Sequence, residues 1–260
     1  MFKNSQNMTK IVLSFLLFNS FTFAMVIKDV AQAVDVAGKQ RMFTQRMLKD
    51  YAMVGLENQF GNPSEDLKKI MGLFDDHLQS LRKFNKDAAT EESLAKVKVL
   101  WNPLQIALTE VPSKEKAGKM QEDLEALLKQ SNEAVGLFAK QTGKASGEII
   151  NISGRQRMLS QRMASLYMLK VWGINDSQFS DKMNKALDLF KTSQEKLMVS
   201  RMNTDEINML LQKAKKSFMF FEMMNKSKTK FIPTLIYKKS NDILKDMNTV
   251  TGLYVIEDNK

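Results

Sequence analysis

The chain has 260 residues, room for two ordinary domains, and its 43% hydrophobic and 26% charged content is that of a globular protein, not a disordered one. Its 11 glycines and 4 prolines are few for an all-β fold, and with no cysteine and one histidine, His77, the parts for disulfides, thiolate or zinc sites and Ser-His or Cys-His catalysis are missing. The net charge of +10 comes without aromatic-basic interleaving or a helix-turn-helix pattern, so it points to anionic ligands, an anionic surface or an acidic partner, and not to nucleic acid.

Residues 1–24 have the form of a secretory signal. Lys3 and Lys10 give a positive start, Ile11 to Ala24 is a short apolar run, and Thr22-Phe23-Ala24 is a small-x-small cleavage site. The run falls short of the roughly 20 residues that cross a bilayer as a helix. A cleaved signal and an exported, periplasmic protein are therefore expected, with a retained anchor as the alternative. The first unit, 25–142, offers helical segments at 26–58, 63–87, 91–110 and 113–141. Gly61-Asn62-Pro63 breaks the first from the second, with Pro63 suited to a first helical turn and Asn62 a possible cap. Thr90 followed by Glu91 and Glu92 opens the third, where Pro103 is expected to kink or shorten the helix. His77 is expected as a partly exposed helix residue.

The second unit, 143–260, repeats the scheme at 143–174, 177–200, 204–227 and 230–257. Asn175-Asp176-Ser177 and Asn203-Thr204-Asp205-Glu206 are the breaks, and Pro233 falls where a proline is tolerated. Four amphipathic helices with short connections favour an up-down-up-down arrangement. The fold expected is all-α, two tandem antiparallel four-helix bundles from an internal duplication. The junction Gln141-Thr142-Gly143-Lys144-Ala145-Ser146-Gly147 leaves few residues for a linker, which favours a helix running through it and bundles stacked end to end. A turn at the two glycines, with the bundles side by side, is the alternative.

The duplication is carried by one motif. Gly38-Lys39-Gln40-Arg41-Met42-Phe43-Thr44-Gln45-Arg46-Met47 recurs 116 positions later as Gly154-Arg155-Gln156-Arg157-Met158-Leu159-Ser160-Gln161-Arg162-Met163, identical at seven of ten sites. The same shift takes Tyr51 to Tyr167, Leu73-Phe74 to Leu189-Phe190 and Asn132 to Asn248. At about 100° per residue, Val34, Ala37, Gly38, Arg41, Gln45 and Leu48 share one helix face, and Val36, Phe43, Met47 and Tyr51 a second. Lys28, Asp35, Lys39, Arg46, Lys49 and Asp50 make a polar third side, and unit two follows the same scheme. Two apolar stripes imply two packing partners, and Gly38 and Gly154 allow another backbone to come close. Arg41 and Arg157 each interrupt such a stripe. A guanidinium removed from water needs an anion, a carboxylate or carbonyls, so each is expected to meet a partner at a helix–helix seam. Gln40, Gln156, Gln45 and Gln161 could complete a polar pocket or bond one another across the seam.

Asp35-Val36-Ala37-Gly38-Lys39-Gln40-Arg41-Met42 and Asn151-Ile152-Ser153-Gly154-Arg155-Gln156-Arg157-Met158 resemble the signature of the PilJ/NarX-type periplasmic sensor domain. That domain belongs to type IV pilus methyl-accepting chemotaxis transducers and nitrate/nitrite sensor kinases. The Gln-Arg-Met…Gln-Arg-Met form is closer to the pilus-transducer branch. The resemblance implies an antiparallel four-helix bundle, a homodimer through the first helix, and anion contact by the motif arginine, here Arg41 and Arg157, beside Gly38 and Gly154.

Two functions are open at this point. One is a ligand-binding sensory module for a small anion, working with a membrane chemoreceptor or sensor kinase. The other is a structural or interaction protein whose arginines only fix bundle dimerisation or docking to a transducer or pilus component. No nucleophile–base pair, phosphate loop or carboxylate dyad argues for an enzyme. The 19 methionines, with Met219, Met223 and Met224 close together, are at spacings a helical core also explains, so no metal and no cofactor is expected.

Overall fold

The computed structural model describes residues 25–226 and 232–259, which form α1 (Val30–Gly55), α2 (Pro63–Phe84), α3 (Ala88–Ala107), α4 (Lys114–Gln141), α5 (Ala145–Val171), α6 (Phe179–Met198), α7 (Asp205–Lys226) and α8 (Pro233–Asp258). The signal segment 1–24 and the expected boundaries at 227 and 230 lie outside the described residues. Local chemistry sets several helix starts. Asp29 accepts from the Gln32 amide at 2.7 Å and starts α1; Ser113 accepts from the Lys116 amide at 3.4 Å and starts α4. The third helix begins at Ala88, not at 91, because Asp87 accepts both the amide and the hydroxyl of Thr90 at 2.8 Å. It runs through Pro103 and stops at Ala107. Pro103 leaves the Val99 carbonyl without its i+4 donor, a loss water can make good because Val99 is exposed. Pro63 and Pro233 occupy first-turn positions of α2 and α8, where no amide is needed.

Helices α1 to α4 form one four-helix bundle, in which α1 packs on α2 and α4, and α3 on α4. Helices α5 to α8 repeat it, with α5 on α6 and α8, and α7 on α8. Each bundle closes on its own aromatic centre, Phe74 against Trp101 at 4.4 Å in one and Phe190 against Phe218 at 4.3 Å in the other. The most extensive packing between any two helices, however, is α1 against α5. A Cβ on Gly38 would lie 3.9 Å from the Gly154 Cα; further along, Ser165 donates to Gln45, Lys49 donates to Gln161, and Tyr51 meets the Trp172 ring edge-on at 6.0 Å. From Gly38–Gly154 to Tyr51–Trp172 the contacts advance in the same direction along both helices, and the Gln45–Ser165 and Lys49–Gln161 pairs cross symmetrically between them, so α1 and α5 are parallel and in register. A pseudo-twofold relation exchanges the two units.

The bundles therefore lie side by side, and the helix expected to continue through the junction does not form. Gly143 takes φ +63°, a left-handed conformation that glycine adopts without cost, and the chain reverses between α4 and α5. The reversal buries the Gly38–Arg41 stripe of α1 against α5. An end-to-end stack would leave that stripe in water.

Candidate functional site

Nineteen of the 26 residues of α1 are buried, because α2, α4 and α5 surround it and α8 touches it. Arg41 and Arg157 are both completely buried at the α1–α5 seam. Gly38 and Gly154 sit one turn earlier on the same faces. A Cβ on Gly38 would stand 3.0 Å from Arg157 Nη2 and 3.5 Å from Arg41 Nη2; one on Gly154 would stand 3.0 and 3.4 Å from the same two atoms. The missing side chains are thus the space that the two guanidinium groups fill.

The two arginines have matched surroundings. Arg41 Nη1 donates to Asn132 Oδ1 on α4 at 2.9 Å and Nη2 to the Asn151 carbonyl on α5 at 3.1 Å. Arg157 Nη1 donates to Asn248 Oδ1 on α8 at 3.1 Å and Nη2 to the Asp35 carbonyl on α1 at 3.2 Å. Asn132 with Asn248, and Asp35 with Asn151, are equivalent under the 116-residue shift. The symmetry breaks in charge: Arg157 Nη1 also bonds the Asp35 carboxylate at 2.7 Å, whereas Arg41 pairs with no carboxylate among the described residues. Burial, then the charges of Arg155 and Arg157, push Arg41 down to about 9, so it is still a cation at neutral pH. Asp35 is pushed up by burial, but Arg157 and then Lys39, 2.9 Å away, outweigh this and hold the carboxyl below its ordinary value. The Nε atoms of both arginines and the Asn151 Oδ1 are buried without partners.

The four glutamines divide into two pairs. Gln40 and Gln156 do not join the arginines; they turn into their own bundles and donate to the Phe74 and Phe190 carbonyls at 2.8 and 3.1 Å. Gln45 and Gln161 do lie at the seam, in a second polar layer. Gln45 contacts Glu125 at 3.4 Å, and Gln161 accepts from Lys49 at 2.8 Å and donates to the Ser240 carbonyl at 3.0 Å. Lys49 also donates to Asn241 at 2.9 Å and lies 4.0 Å over the Tyr237 ring.

Three expectations need correction, two on the polar side of α1 and one on α2. Lys49 and Asp50 are completely buried, not solvated, because α5 and α8 cover the side assigned to water. Burial pushes Lys49 down to about 8, with Asp50 opposing. Burial pushes Asp50 well above the carboxylate range, Lys49 opposing from 3.8 Å and Asp66 adding to the rise; neither of its oxygens is within hydrogen-bond reach of a donor, as suits a carboxyl that keeps its proton. His77 is buried, 5.2 Å from Phe43, and burial, then Lys39, push it down to about 4. Arg46 and Arg162 are half-buried in ion pairs with Asp66 and Glu125 at 2.6 and 2.7 Å. The sequence reading missed Asp35 as a site residue and used Asn132 and Asn248 only as repeat markers. The signal available was that both asparagines survive at the repeat spacing. Among the described residues no group of three or more His, Asp or Glu side chains is placed to hold a metal ion.

The family model described as the N-terminal region of type IV pili methyl-accepting chemotaxis transducers, PilJ, matches residues 26–135 and 137–203. The chain belongs to the PilJ family. The first matched segment runs from just before α1 into α4, and the second from the end of α4 through α5 and α6, so each contains one motif helix. Helices α7 and α8 complete the second PilJ-type bundle beyond the matched residues. No curated protein and no solved structure matches the chain. The family is a sensory one, associated with methyl-accepting chemotaxis transducers, and no helix among the described residues is long and apolar enough to cross a membrane.

Proposed function

We propose that this PilJ-family protein is an exported, non-catalytic periplasmic module that recognises a small oxyanion, nitrate- or nitrite-like or a small carboxylate, at the α1–α5 seam, and acts with a membrane-bound chemoreceptor or sensor kinase. One observation carries the reading: Arg41 is a fully buried cation whose acceptors are both neutral. A buried charge without a counter-charge costs several kcal/mol, and a planar guanidinium is matched by a planar oxyanion. The resemblance places anion contact at the seam between two first helices of separate subunits. Here α1 and α5 supply such a seam within one chain, so one chain suffices, and a homodimer would pack on some other face.

Calorimetric titration with sodium nitrate, nitrite, formate and acetate tests the proposal. Binding is expected in the wild type and loss of the heat in Arg41→Ala and Arg157→Ala. A wild type silent to the whole panel overturns it. The second reading, that the arginines only lock the assembly, draws support from the bonds Arg157 already makes to Asp35 and Asn248. It predicts the silent titration, together with a change of oligomeric state in the double variant.

A further inference from the structure

Resting on the anion-binding reading, we infer that Asp35 is a resident anion occupying the Arg157 half of the seam, so that the chain takes one monovalent oxyanion, held by Arg41. The backbone is the same in both halves: the residue-35 carbonyl accepts from Arg157 at 3.2 Å and the residue-151 carbonyl accepts from Arg41 at 3.1 Å. The outer asparagines are the same, at 3.1 Å for Asn248 and 2.9 Å for Asn132. Only the side chain at the 35/151 position differs, a carboxylate in one half and a neutral amide in the other. Where the carboxylate stands, Arg157 has a 2.7 Å ion pair. Where it is missing, Asn151 Oδ1 is buried without a partner, while the Nε atoms of both arginines lack one alike.

The charges fix the class of ligand. Two fully buried guanidinium groups face one half-buried carboxylate, which leaves one positive charge in excess among these three, with Lys39 and Arg155 at the half-buried edge. A monovalent anion balances it. A divalent anion overshoots and has to compete with Asp35 for Arg157, in a medium where like charges repel strongly. The Asn151 amide, turned over, presents its Nδ2 hydrogens to the incoming oxygen, exchanging an unpartnered acceptor for a donor. Asn151 and Arg155 are half-buried, so this half of the seam reaches the surface at its edge, and Arg155 adds positive charge there.

The decisive variants exchange the two residues. Asn151→Asp gives Arg41 its own carboxylate; it is expected to melt at higher temperature than wild type and to bind sodium nitrate at least tenfold more weakly. Asp35→Asn is expected to melt lower and to admit sodium sulfate, or a second nitrate, where the wild type binds one nitrate and takes sulfate at least tenfold less well. If the wild type binds nitrate and Asn151→Asp binds it equally well, the role given to Asp35 falls while the anion-binding seam stands. If the wild type binds neither nitrate, nitrite nor acetate but Asn151→Asp is stabilised, the anion-binding reading falls and Asp35 stands as resident counter-charge. An unstabilised Asn151→Asp that binds nitrate as the wild type does overturns the inference even if Asp35→Asn does not fold.

Discussion

A single residue can report on the interior of this seam from a distance. His77 lies on α2, against Phe43, with Lys39, Asp35 and Arg157 as its charged neighbours, and its folded pKa is about 4. The unfolded chain takes up that proton near 6.5 and the folded chain does not, so between the two values the unfolded state binds more protons. Stability from this group is therefore present above 6.5 and is lost as pH falls toward 4. The expected loss is about 2–3 kcal/mol from pH 7 to pH 4.5. Urea unfolding of wild type and His77→Leu at both pH values isolates it from Asp50, whose raised pKa works in the opposite direction: the wild type should lose ground to the variant at the lower pH, and parallel behaviour would refute a neutral buried imidazole. At this scale the sequence was legible where a residue interrupts a stripe. Arg41 and Arg157 stand out because apolar residues surround them at helical spacing. Asp35, Lys49 and Asp50 did not, because a run of charges reads as a solvent face until the neighbours that cover it are known.

At the scale of the element, α1 and α5 are held by close approach as much as by apolar area. Gly55 lies where the end of α1 meets Trp172, the C-cap of α5; a Cβ there would stand 2.1 Å from the indole ring, which is itself buried and packed on Tyr51. Replacing Gly55 by Ala gains about 1 kcal/mol of helix propensity and costs about 1–3 kcal/mol in forced displacement of a packed ring. The clash should win. Gly136, inside α4 with nothing within 4 Å of its would-be Cβ, is the control: Gly136→Ala keeps the propensity gain without the clash. Thermal melts are expected to move in opposite directions, down for Gly55→Ala and up for Gly136→Ala. Two stabilised variants would mean that α5 does not press on α1 at this point. The existence of the eight helices among the described residues and their approximate limits could be read from prolines, caps and periodicity, since these act locally. The start of α3 was misplaced because Asp87 is a better cap than Thr90 and its carboxylate recruits Thr90 itself.

The arrangement of the whole molecule was the least legible, since a 116-residue repeat says that there are two units and nothing of how they face each other. Gly143 decides it. Once its turn brings α5 beside α1, the two arginines are enclosed between helices whose Val34, Leu48, Ile150, Ala164 and Met168 are all buried. Each fully buried Val, Leu, Ile or Met side chain contributes about 1.5–3 kcal/mol, so the seam should hold without its covalent link. A protease site inserted at Gly143, in the exposed turn between α4 and α5, tests this. After cleavage the halves should elute together from a sizing column with the mass of one intact chain, and Arg41→Met/Arg157→Met should still do so if apolar burial dominates. Twice that mass would mean that copies pair through another face. Separation of the halves under native conditions would mean that the turn, and not the seam, keeps the two bundles together.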